Sequence, residues 1–110
     1  MIAVKVYRDE QSILGFSVAG HSDFSARGSD IVCAAVSALS QTAVLALAEV
    51  AGIDPLYTKE DGLLECRIPQ DIVPQKLQTC QVIFKTMLLG IANIAEQYPD
   101  FVGICNEEVL

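Results

Sequence analysis

The sequence predicts an α+β domain: a single antiparallel or mixed five-stranded sheet with two main helices, in the order ββαββαβ. Three observations lead there. Short stretches with a period of two, or bounded by turn residues, recur along the chain. Two long apolar stretches carry helical spacing. The whole chain is 110 residues, one domain's worth, so 1–110 is read as a single domain with one core.

Each element has its own signal. Over residues 2–8, Ile2, Val4 and Val6 alternate with Ala3, Lys5 and Tyr7, the period of a strand. Asp9-Glu10-Gln11-Ser12 is a turn, and 13–19 (ILGFSVA) the returning arm of a hairpin, ended by Gly20. Residues 21–29 (HSDFSARGS) carry no apolar period and read as a loop. Asp30 stands as an N-cap before a helix from Ile31 to about Val50, with Gly52 past its end. Asp54-Pro55 favours a turn, and 56–60 (LYTKE) and 63–68 (LLECRI) form a second hairpin around Asp61-Gly62. A second helix starts at Asp71 or its neighbours, with Pro74 tolerated in the first turn, and ends at Tyr98-Pro99-Asp100. Residues 101–105 (FVGIC) read as a closing strand, and Glu107-Glu108 as a solvated tail.

The first helix has no charged residue from Ile31 to Ala48. Ser37, Ser40, Gln41 and Thr42 in mid-run, Arg27 as the only nearby cation and the want of a second such segment argue against a membrane span. An uncharged helix of a soluble domain is covered on most sides, and one sheet covers a single face. A second subunit would cover the rest, so a homodimer is expected.

Composition narrows the function. Hydrophobic residues make up 52% of the chain, too many for a disordered acidic tail. Fourteen acidic against seven basic residues give a net charge of −7, a poor match to a phosphate backbone or an anionic membrane. Neither direct nucleic-acid binding nor membrane association is expected. The N-terminus carries charges at Lys5, Arg8, Asp9 and Glu10 where a signal peptide would be apolar. Cys33, Cys66, Cys80 and Cys105 form no C-x-x-C pair and stand with a single histidine, so neither a metal site nor any other cofactor is expected. A cytoplasmic chain with free thiols is the default.

The chemistry concentrates in residues 20–39, GHSDFSARGSDIVCAAVSAL. His21, the only histidine, ends a strand, and Cys33 falls in the first turn of a helix. A thiol there faces unpaired backbone N–H groups and the positive end of the helix dipole, which favour thiolate. A nearby imidazole can take its proton and return it to a leaving amine, and the same N–H groups can stabilise a tetrahedral oxyanion. Asp30, Cys33 and Ser37 share a helix face. Asp30 either caps the helix, competing for the Cys33 N–H, or turns to His21 and fixes its tautomer. Each residue also has a plainer reading. His21 is then a satisfied surface or core histidine, Cys33 a small buried hydrophobe, Ser37 a small residue allowing close packing, and Phe24 a loop aromatic pinned to the core or acting as a lid. Cys66, Cys80 and Cys105 are read as core.

Gly20-His21, the eleven residues between His21 and Cys33, and the run Gly28-Ser29-Asp30-Ile31-Val32-Cys33-Ala34-Ala35-Val36-Ser37 resemble the signature of the ribosomal-processing cysteine protease family Prp. The resemblance extends weakly over the rest of the chain. It implies a small bacterial homodimer with one sheet and two main helices, and a Cys/His dyad at Cys33 and His21. Asp30 and Ser37 match supporting polar positions. The loop that includes Gly20, Ser22, Asp23, Phe24 and Gly28 is implied to be mobile and to cover the cleft. The implied substrate is the precursor of a large-subunit ribosomal protein, whose N-terminal extension is removed. The chain departs from the pattern at Ser22-Asp23, where relatives commonly carry Ala-Gly. Two other classes fit the residues alone: a non-catalytic dimeric adaptor of ribosome assembly, and a thiol redox sensor.

Overall fold

The computed structural model describes residues 1–26 and 30–109. Its elements are β1 (Ile2–Arg8), β2 (Ile13–Ala19), α1 (Ile31–Glu49), β3 (Leu56–Glu60), β4 (Leu63–Arg67), α2 (Pro74–Gln97) and β5 (Val102–Glu108). They build one five-stranded sheet in the order β3-β4-β2-β1-β5. The β1–β2, β2–β4 and β3–β4 pairs are antiparallel, and β5 lies parallel to β1. The sheet is therefore mixed, as expected.

The alternation of β1 dictates its two faces. Ile2, Val4 and Val6 are buried beneath the helices, whereas Ala3 and Lys5 point the other way and are exposed. Phe16, Leu64 and Cys66 extend the buried face across β2 and β4. Onto it α1 lays Val32, Val36, Val44 and Leu47, and α2 lays Cys80, Phe84, Met87 and Ile91. Phe16 and Phe84 meet edge to face, with ring centroids 6.1 Å apart. Burying side chains of this class contributes roughly 1.5–3 kcal/mol each, so this layer carries the fold. Gln81 of α2 fixes the register of helix on sheet. Its Oε1 accepts the Ile13 N–H at 2.7 Å and its Nε2 donates to the Ile13 carbonyl at 2.8 Å. The helices approach closely where Leu39 meets Gly90; a Cβ at Gly90 would lie 2.8 Å from Leu39 Cδ1.

By length and composition α1 is apolar enough to cross a membrane. Its Val32-Val36-Ser40-Ala43-Leu47 stripe is instead buried against the sheet and α2, the behaviour of a core helix. Its opposite stripe, Ile31, Ala34, Ala38, Thr42 and Leu45, is exposed and uncharged.

Three expectations need correction. The second helix begins at Pro74, three residues after Asp71, because the residue before a proline is driven out of the helical region; Val73 sits at φ −64°, ψ 145°. The last strand starts one residue later and runs on to Glu108, so Glu107 and Glu108 pair with Tyr7 and Arg8 and are not a free tail. Cys105 is exposed on this edge strand, not in the core. It pairs with Lys5 and shares the sheet face that no helix covers.

Candidate active site

β2 ends at Ala19, and Gly20 turns the chain out of the sheet with φ 92°. The turn is held by the Gly20 N–H, which donates to the Gly62 carbonyl at 2.8 Å. This bond places His21, half-buried, beside the β3–β4 hairpin turn. Gly62 (φ 73°) presents no Cβ there; one built on it would lie 3.1 Å from His21 Nε2. The imidazole thus rests against a glycine that both the turn and the ring require.

Beyond His21 the backbone is tied back. Ser22 is buried and its Oγ donates to Asp30 Oδ2. Asp23 sits at φ 60°, a left-handed conformation that favours glycine but that aspartate tolerates better than most residues. Phe24 is pinned between Tyr98 and Phe101, its ring centroid 5.4 and 5.3 Å from theirs. These rings belong to the α2–β5 junction, so of its two readings Phe24 follows the pinned one, although its outer side is exposed. Gly28 lies outside the described residues.

Asp30 is the N-cap of α1. Its Oδ1 accepts the Cys33 N–H at 3.0 Å, and its backbone carbonyl accepts the Ala34 N–H at 3.0 Å. Its Oδ2 takes Ser22 and, at 3.4 Å, the Ser25 N–H. Burial opposes ionisation of this carboxyl. Hydrogen bonds from Ser22 and from the Cys33, Ser25 and Phe24 amides outweigh it and hold the group below its ordinary value. Between the two roles open to Asp30, this is the cap. The Cys33 and Ala34 N–H groups are therefore occupied and do not face the cleft as oxyanion donors.

Cys33 is half-buried and lines the same cleft as His21, a space of about 630 Å³ between the N-terminal half of α1 and the β3–β4 hairpin. Ser37 lines it one turn further along; among the described residues its hydroxyl bonds neither Asp30 nor the thiol. Among the described residues, no hydrogen bond joins Cys33 to His21. Thiol and imidazole share one cleft, and proton transfer between them requires the two to come within hydrogen-bond reach. Cys66 and Cys80, by contrast, are shut in the core. Burial and the neighbouring Cys80 push the Cys66 thiol up to about 12, and burial also raises Cys80.

Sequence reasoning placed His21, Cys33, Asp30 and Ser37 together, and the structure brings all four to one site. It missed the opposite wall. Gly62, read only as a turn residue, seats the ring. Lys59 and Gln41 also line the cleft and bridge it, with Nζ donating to Oε1 at 3.1 Å. Their proximity depends on β2 pairing with β4 across the loop and α1, a non-local contact without local sequence signal.

A family model described as Cysteine protease Prp matches residues 1–103. The ribosomal processing cysteine protease Prp of Bacillus subtilis (strain 168) is 31% identical over 103 residues, covering 91% of this chain and 92% of that protein. The fold is also similar to crystal structures of the essential ribosomal processing protease Prp from S. aureus. The complex with a covalently linked product peptide gives a TM-score of 0.86 at 28% identity, and the complex with a substrate peptide gives 0.81 at 27%. Each match covers 97% of this chain and 100% of the S. aureus chain.

Proposed function

The chain belongs to the cysteine protease Prp family, a family of peptide hydrolases, and from that membership we propose that it removes the N-terminal extension of a large-subunit ribosomal protein with a Cys33–His21 dyad. The observation that carries the reading is that the accessible cysteine at a helix start and the only histidine line one cleft, while the two core cysteines are shut away. A peptide hydrolase of this type needs a thiolate and a base in the same solvent-reachable space.

In this reading the Cys33 thiol gives its proton to His21, and its sulfur attacks the scissile carbonyl carbon. The C–N bond of the tetrahedral intermediate breaks as the imidazolium returns that proton to the departing amine. A thioester remains, and water activated by His21 hydrolyses it to free acid and thiol. Asp30 and Ser37 support the site: Asp30 by fixing the first turn of α1, Ser37 by presenting a short uncharged side chain to the cleft. Closing of the loop on substrate excludes water and aligns the dyad. The enzyme acts in the cytoplasm, where its acidic surface speeds encounter with a basic ribosomal protein. It works as a homodimer, the uncharged exposed stripe of α1 being the surface a second subunit would cover.

The test is incubation with the precursor ribosomal protein, wild type against Cys33→Ala, read by intact mass. Loss of the extension with wild type only is the expected result. Processing by Cys33→Ala at the wild-type rate overturns the nucleophile. No processing by either, with Cys33 labelling no faster than a core thiol, returns the protein to the adaptor class.

A further inference from the structure

Ser22 stands apart from its surroundings. It is 1% exposed, whereas Asp23, Phe24, Ser25 and Ala26 after it are all exposed. Its Oγ donates to Asp30 Oδ2 and accepts the Phe24 N–H at 3.3 Å. The other Asp30 oxygen holds the Cys33 N–H. One carboxylate therefore links the backbone that carries the imidazole to the backbone that carries the thiol. Both links have an ionised acceptor, and such hydrogen bonds are roughly twice as strong as neutral ones. Among the described residues the His21 ring makes no hydrogen bond that would orient it. Its placement relative to the nucleophile helix comes through its backbone, from the Gly20–Gly62 bond on one side and the Ser22–Asp30 bond on the other.

We propose that Ser22 is a positioning residue for the Cys33–His21 pair, its hydroxyl fixing the histidine-bearing segment to the N-cap of α1. This rests on the reading of His21 as the base. Ser22 adjoins His21 directly, so a rotation of its backbone displaces the ring, and misplacement by about 1 Å can cost on the order of a hundredfold in rate. The Ser22 side chain is not among the residues that line the cleft; its effect passes through the ring it holds.

The experiment uses the whole chain, with a peptide spanning the extension and first mature residues of the precursor, and iodoacetamide as a small thiol probe. Ser22→Ala is expected to melt cooperatively, lose about tenfold or more in kcat, and keep KM within about twofold. Its Cys33 alkylation rate should fall toward that of His21→Ala. Unchanged kcat in folded Ser22→Ala overturns the proposal, as does a raised KM at unchanged kcat, which would make Ser22 a peptide-binding residue. Should the alanine variant not fold, Asp30→Asn is read in the same assay. It keeps an oxygen for the Cys33 amide but removes the charge that holds Ser22. The same kcat loss is expected, and full kcat overturns the proposal. His21→Ala separates the two levels. If it cleaves and alkylates like wild type, the base assignment fails and this inference with it. If it loses activity while Ser22→Ala does not, only the inference fails.

Discussion

The Asp30 carboxylate accepts the backbone N–H of Cys33 at 3.0 Å, so the residue that starts the helix also occupies the amide of the nucleophile candidate. Its pH dependence follows by linkage. A carboxyl held below its ordinary 3.8 in the folded chain contributes stability above that value and loses it as pH falls through the lower, folded one. In denaturant titrations, wild type should lose stability below 3.8 faster than Asp30→Asn, which can still cap but does not ionise. Equal slopes would show that this carboxyl does not sense folding.

The four cysteines should divide into two classes. Cys33 and Cys105 are accessible in the native chain, and Cys66 and Cys80 are buried. A thiol probe at about pH 8, where a free thiol is partly ionised, should count two groups in native protein and all four in denaturant. Linkage adds a second reading. Folded Cys66 ionises near about 12 against 9.0 for an ordinary thiol, so stability should decline as pH rises above 9.0 toward that value. Native labelling of a third thiol would contradict the core assignment.

Gly62→Ala tests the seat of the imidazole. The substitution strains a backbone at φ 73° and pushes a methyl against His21 Nε2. Gly52→Ala is the control: it suffers similar strain at φ 68°, but its Cβ would meet only the flexible Lys76 side chain, at 3.6 Å. Each variant should lose stability, by about 1 kcal/mol. Only Gly62→Ala should also lose activity per folded molecule, by about tenfold or more. Comparable kinetics in the two would mean that the ring does not depend on this contact.

The exposed stripe of α1 makes a prediction about assembly. Leu45, at its C-terminal end, is 65% exposed. Wild type should sediment as a dimer and Leu45→Glu as a monomer, with thermal unfolding still cooperative, because the change reaches no core residue of the same chain. A dimer unaffected by Leu45→Glu would place the subunit contact elsewhere.

Much of this was legible before any coordinates. The alternation in β1 and the Asp61-Gly62 turn fixed strand positions to within a residue, because period and turn chemistry are local. Asp30 as a cap was readable for the same reason, although only the structure chose between cap and partner of His21: Oδ1 meets Cys33 and Oδ2 meets Ser22. Cys105 was misjudged because an apolar run, FVGIC, does not say whether its strand lies inside or at the edge of a sheet. The start of α2 was misjudged because Pro74 governs the residue before it more strongly than Asp71 promotes a cap. Gly62 beside His21 was out of reach, since their contact arises from strand order.

The parallel pairing of β5 with β1 has a bearing on how the molecule comes into being. Ile2 takes Val102 as its neighbour and Arg8 takes Glu108, so β1 waits for β5, which follows it only after both helices. Contacts between opposite ends of a chain close slowly, because a long loop must be drawn in before they stabilise anything. During translation, the β1–β2 hairpin therefore leaves the exit tunnel with both edges uncovered; β4 covers the β2 edge, and the β1 edge waits until α2 and β5 have emerged.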